Sequence, residues 1–153
     1  MGAEPQKLVD SKELINLYLD ISEEIFSKLT FDKSNLDITS RFLFFLSLEK
    51  SFDYLADSIL NQTGMDLPNA GSFNAKAKWN KLSLEPSLKN IIFKEEQPDG
   101  FIFDFYNAKD KLLIPVNDSL ITSNQISNLK KYISILDSYK RFMLLLRKTL
   151  DEC

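Results

Sequence analysis

Apolar residues recur every third or fourth position early in the chain: Leu14, Tyr18, Ile21, Ile25 and Leu29, with Ile15, Leu19 and Phe26 in a parallel row. That spacing is helical, and the doubled row predicts a first helix packed over more than a narrow stripe. Asp10 with Glu13 makes a capping-box pair at its start, and the polar turn Asp32 to Asn35 stops it. A second helix, capped by Asp37 or Thr39, runs to about Gln62. Its opening, Phe42 to Leu46, is apolar on all sides, which marks a buried helix. Leu48, Phe52, Leu55, Ala56, Ile59 and Leu60 continue its core face, and Gly64 stands where a left-handed C-terminal residue is expected.

The middle of the chain is more broken. Pro68-Asn69-Ala70-Gly71 centres a loop over residues 65–72, followed by a short helix from about Asn74 to Leu82 around the sole tryptophan, Trp79. A second short helix from Ser83 to about Ile92 accepts Pro86 in its first turn and would bury Leu84, Leu88 and Ile91, although a strand over 91–95 competes. After Pro98-Asp99-Gly100, Phe101, Phe103 and Phe105 alternate. A period of two with a turn before it predicts a small antiparallel β-hairpin over about residues 91–116, with all three rings facing the core.

Thr122 and Gln125 open a final helix over about Ser123–Leu150, with a main stripe of Ile126, Leu129, Ile133, Leu136, Met143 and Leu150. At 1.5 Å per residue it is about 40 Å long, more than a compact bundle of this size needs. Tyr132, Ile135, Tyr139, Phe142 and Leu146 flank that stripe as a second row. They are expected to be a partner-binding face, meeting another protein or a second copy of the chain. The fold class expected is mainly α: a bundle of three or four main helices with the inserted hairpin. It forms one domain over 7–153 after a disordered lead at 1–6.

Composition supports that picture and restricts the chemistry. At 153 residues with 44% hydrophobic and 27% charged positions, the chain suits one domain, and only 4 glycines disfavour a turn-rich β fold. The net charge is −3, split as −5 over residues 1–60 and +2 over 61–153, which offers nucleic acid no strong general attraction. The longest apolar run, Phe42 to Leu46, is far too short to span a bilayer, so no membrane association is expected. Cys153 is the only cysteine, and the N-terminus shows no basic-then-apolar signal pattern, so a cytoplasmic protein is expected. The sequons at Asn61 and Asn117 are then coincidental.

The chain has no histidine. That excludes Ser-His-Asp and Cys-His nucleophile systems and His/Cys zinc sites. The R-x(4–6)-H motif of helical ribonuclease toxins cannot be completed either, since Arg41 has no histidine to work with. No catalytic residue and no cofactor are expected.

The remaining chemical candidate is acidic: Glu49, Asp53 and Asp57 recur every four residues, and Asp20, Glu23 and Glu24 on the first helix would face them if the two helices were antiparallel neighbours. Clustered carboxylates suit Mg²⁺-dependent phosphohydrolysis, the alternative reading, because Mg²⁺ prefers oxygen ligands. The spacing departs from the E-x-x-E and E-x-x-D pairs of all-helical nucleotide pyrophosphohydrolases, which favours a solvated helix face. A third reading is nucleic-acid binding, through Lys76, Lys78 and Lys81 around Trp79 and Lys130, Lys131, Lys140, Arg141, Arg147 and Lys148 on the last helix. The acidic pI argues against it, and Trp79 reads better as a core anchor. A non-enzymatic protein-binding or regulatory module, such as an inhibitor, an immunity-type partner or a subunit of an assembly, fits these exclusions best.

Overall fold

The computed structural model describes residues 10–65, 74–112 and 125–151, with side chains of the last segment from 128 onward. Among these residues the chain forms six helices and no strand: α1 Ser11–Ser27, α2 Asn35–Thr63, α3 Ala75–Leu82, α4 Pro86–Glu95, α5 Phe101–Leu112 and α6 Gln125–Asp151. The mainly α class and the three long helices are as the periodicity predicts. The expected lead at 1–6, most of the loop at 65–72 and the cap at Thr122 lie outside the described residues.

Local capping chemistry sets most boundaries. Asp10 caps α1, its side chain accepting from Lys12 N, and Asn74 caps α3 by accepting from Ala77 N. Ser34 caps α2, rather than Asp37 or Thr39, and Gly64 ends it in the left-handed conformation at φ 69°. Pro86 occupies the first turn of α4, where its missing N–H costs nothing.

The turn between α1 and α2 is held by one carboxylate. Phe31 and Lys33 both have positive φ, 54° and 63°, an uncommon state for such side chains. Asp37 accepts from both: Phe31 N at 2.9 Å and Lys33 N at 3.1 Å. Its other partner is Arg41, one helical turn on, whose Nη2 lies 2.7 Å from Oδ2, with the guanidinium over the Phe31 ring. Asp37 therefore satisfies two loop donors and pairs its charge with a buried cation, whose Nε and Nη2 make no well-formed hydrogen bond, and this offsets the backbone strain.

The hairpin expected at about 91–116 is not present through residue 112; that stretch is α4, a tight turn and α5, and 113–116 lie outside the described residues. Asp99 takes the left-handed conformation in the turn, and the Glu95 carboxylate accepts from Phe101 N at 2.6 Å, capping α5 from the preceding helix. Phe101 and Phe105 are fully buried, as expected, but Phe103 is 40% exposed. The two buried rings lie four apart, one helical turn, and Phe103 between them points outward.

The core is an aromatic column along α2. Phe52 stacks on Trp79 at 4.6 Å and meets Phe101 edge-on at 5.2 Å; Phe101 packs on Tyr139 at 4.8 Å and Trp79 on Phe142 at 5.2 Å. Nearer the α1–α2 turn, Tyr132 sits among Phe31, Phe44 and Phe45. These pairings run α6 parallel to α2, while Phe26 on Phe44 and Ser51 Oγ on the Ile15 carbonyl at 2.8 Å run α1 antiparallel to it. Ser51 also shares a 2.7 Å hydrogen bond with the Tyr139 hydroxyl, so two otherwise stranded polar groups inside the column are paired.

Candidate functional site

The acidic row on α2 is a row of locks. Asp53 and Asp57 are one turn apart, and α3 lays Lys78 across them, its Nζ 2.8 Å from Asp53 Oδ1 and 2.9 Å from Asp57 Oδ1. Lys78 is 2% exposed because its neighbour Trp79 is drawn into the core, donating from Nε1 to the Phe52 carbonyl at 3.1 Å and carrying the base of α3 with it. Burial works against the Lys78 charge, but the hydrogen bonds and charges of Asp53 and Asp57 outweigh it and hold the ammonium above its ordinary pKa. Glu49, one turn earlier, meets Lys109 of α5 at 2.6 Å. The Tyr106 hydroxyl is buried beside this pair without a well-formed hydrogen bond, and the Lys76 and Lys109 ammonium groups flank its ring. Burial, then the Glu49 carboxylate, pushes its pKa far above 10.

The solvated acidic face expected at Glu49, Asp53 and Asp57 is thus a half-buried polar seam joining α2 to α3 and α5. The α3 lysines, candidates for nucleic-acid binding, divide: Lys76 is exposed and Lys78 is interior. The first-helix acids are not brought to the seam. α1 and α2 are antiparallel neighbours, but Glu23 pairs with Lys140 of α6 at 3.1 Å, Glu24 with Lys28 at 3.0 Å, and Asp20 is exposed. Among the described residues no group of three or more His, Cys, Asp or Glu side chains could hold a metal ion.

The expected partner-binding row on α6 turns inward. Tyr132, Ile135, Tyr139, Phe142 and Leu146 are all buried, at 5% exposure or less, and pack in the aromatic column. They cannot meet a partner without opening the core. Of the stripe expected to be buried, Leu136 is interior, whereas Leu129 and Ile133 are exposed. The reason is the ring pairing: Phe52, Trp79 and Phe101 present flat surfaces that Tyr139 and Phe142 match, and rotating α6 to bury Leu129 and Ile133 would withdraw both rings. Burial pushes the Tyr132 hydroxyl up to about 12, with Arg41 opposing the shift and Asp37 adding to it. Tyr139 is raised further by burial, its bond to Ser51 opposing the shift.

Apolar side chains reach solvent on several helices, among them Phe93 of α4 and Leu144 and Leu145 of α6. α1 exposes Leu17 and Ile21, one turn apart; α2 exposes Leu36, Leu43 and Leu46, the first at 78%. The all-round apolar opening of α2, read as a buried helix, is therefore half right: Phe44 and Phe45 are interior while Leu43 and Leu46 face water. Nothing in the sequence distinguishes these leucines from core leucines. No helix among the described residues is long and apolar enough to cross a membrane. Comparison of the chain with family models, curated proteins and solved structures finds no match.

Proposed function

We propose that the protein is a non-enzymatic protein-binding or regulatory module that engages its partner through the outer face of the α1–α2 hairpin. One observation carries the reading: Leu17, Ile21, Leu36, Leu43 and Leu46, five of the twelve exposed large hydrophobics among the described residues, are on two adjacent helices. Isolated exposed leucines are ordinary, whereas a contiguous apolar patch marks a contact surface; Leu17 with Ile21 on α1 and Leu43 with Leu46 on α2 each lie one turn apart. The charged groups that a carboxylate enzyme would need are engaged in the seam instead, where each acid has a lysine.

The test is affinity capture from the native host with the intact chain and with Leu43→Asp/Leu46→Asp, whose sites are exposed and leave the core untouched. A partner recovered in stoichiometric amount by the intact chain and lost by the variant supports the assignment. Equal recovery by both, or no stoichiometric partner, refutes it.

A further inference from the structure

At the end of the bundle away from the α1–α2 turn, the first turn of α1, the last turns of α2 and the C-terminal third of α6 enclose a cleft of about 200 Å³. Ile15, Leu55, Ile59 and Leu146, all otherwise buried in the core, form an apolar floor, and the polar side chains of Asn16, Ser58 and Gln62 share the lining. Two cations stand on its rim, Lys12 from α1 and Arg147 from α6, with one acid, Asp151. Lys28, Arg41, Lys78, Lys109, Lys131 and Lys140 each form an ion pair in the described structure. Lys12 and Arg147 form none among the described residues. An apolar floor under an excess of positive charge is complementary to one kind of small molecule, an apolar body ending in a single anion.

We propose that this cleft binds a short single-chain carboxylate. Its alkyl body would lie on Ile15, Leu55, Ile59 and Leu146, and its carboxylate between Lys12 and Arg147, where the planar guanidinium can donate two parallel hydrogen bonds to the two oxygens. The volume sets the length. A dry cavity of about 150 Å³ takes a six-carbon ring, so 200 Å³ suits a body of roughly six to nine carbons. Longer chains gain nothing further once the floor is covered. This site lies on different residues from the α1–α2 contact face and does not depend on it.

The test uses the full chain and octanoate as probe, read by amide NMR shifts. Saturable binding at millimolar octanoate is expected, with the largest shifts around Ile15, Ile59 and Leu146. Shortening the probe to hexanoate removes two buried methylenes and should weaken binding about fifteenfold, close to fourfold for each. Octylammonium should bind at least tenfold more weakly than octanoate, since it meets like charge at the rim. Lys12→Glu/Arg147→Glu alters two exposed side chains, should unfold at an unchanged temperature, and should lose octanoate binding at least tenfold while admitting octylammonium. No saturation at millimolar octanoate, equal binding of octylammonium to the wild type, shifts confined to the outer face of α1–α2, or full octanoate affinity in the charge-reversed variant would each overturn the assignment.

Discussion

Replacing Lys78 by methionine tests the polar seam directly, because methionine keeps most of the chain length and removes only the charge. The wild-type ammonium sits within 2.9 Å of two carboxylates and its side chain is 3% exposed, so its removal leaves Asp53 and Asp57 without their ion-pair partner. Breaking a buried ion pair from one side costs about 3–5 kcal/mol, mostly through the stranded partner. Here the stranded carboxylates retain 20% and 32% side-chain exposure, which lets water soften the penalty and places the expected loss near the lower end, about 3 kcal/mol. For a chain of this length that corresponds to a fall in Tm of roughly 6–12 °C. Urea unfolding followed by far-ultraviolet circular dichroism measures it. The triple variant Lys78→Met/Asp53→Asn/Asp57→Asn should recover at least half of the loss, since the repelling charges are then gone. A loss below about 1 kcal/mol, the size of an exposed surface pair, would mean that the seam is solvated in solution and that the burial of Lys78 is not what holds α3 to α2.

Three other outcomes follow from the same geometry. Phe101→Ala should cost about 3–5 kcal/mol by opening a cavity in the aromatic column, while Phe103→Ala, at a partly exposed helical position, should cost under about 1 kcal/mol; equal costs measured by chemical denaturation would argue against the α5 helix. Asp37→Ala should lose about 3 kcal/mol or more, because the carboxylate serves a fully buried arginine pair and two loop N–H groups at once; a loss no larger than that of an ordinary helix cap would refute its role. The fold should also be sensitive to alkali. Tyr106, Tyr132 and Tyr139 all have folded pKa values raised above 10, so the unfolded chain releases those protons first and stability falls as pH climbs from 10 toward 12. Lys78 acts in the same direction: its raised pKa contributes stability that is complete below 10.5 and is lost as pH rises through the higher folded value. Tyrosinate absorbance at these three rings should therefore appear together with loss of helicity, and full ionisation of all five tyrosines with helicity intact would contradict their burial.

Local order was legible in the residues themselves. The periodic rows of α1 and α2, the Asp10 cap, Pro86 in a first turn and Gly64 at a helix end are each decided by neighbours within a few positions. Such signals depend on backbone hydrogen bonding and side-chain sterics that a short stretch of chain carries with it. The α5 segment marks the edge of that reach. Phe101 and Phe105 satisfy both a strand period and a helical turn, so the pattern Phe-x-Phe-x-Phe cannot choose between them. The choice falls to the ring contacts with Phe45, Phe52 and Tyr139, which come from distant parts of the chain.

The faces and charges were decided only in the folded molecule. On α6, apolar residues surround enough of the helix that either row could have been the core; the aromatic surfaces of α2, α3 and α5 selected Tyr132, Ile135, Tyr139, Phe142 and Leu146 and left Leu129 and Ile133 in water. The acids at Glu49, Asp53 and Asp57 look alike along α2, and what distinguishes them from a wet helix face is the arrival of Lys78 and Lys109 from α3 and α5. A helix specifies which of its residues share a side. Which side is buried, and whether a charge there is solvated or locked, depends on surfaces contributed by other helices, because burial energy and ion pairing belong to contacts between elements rather than to any one of them.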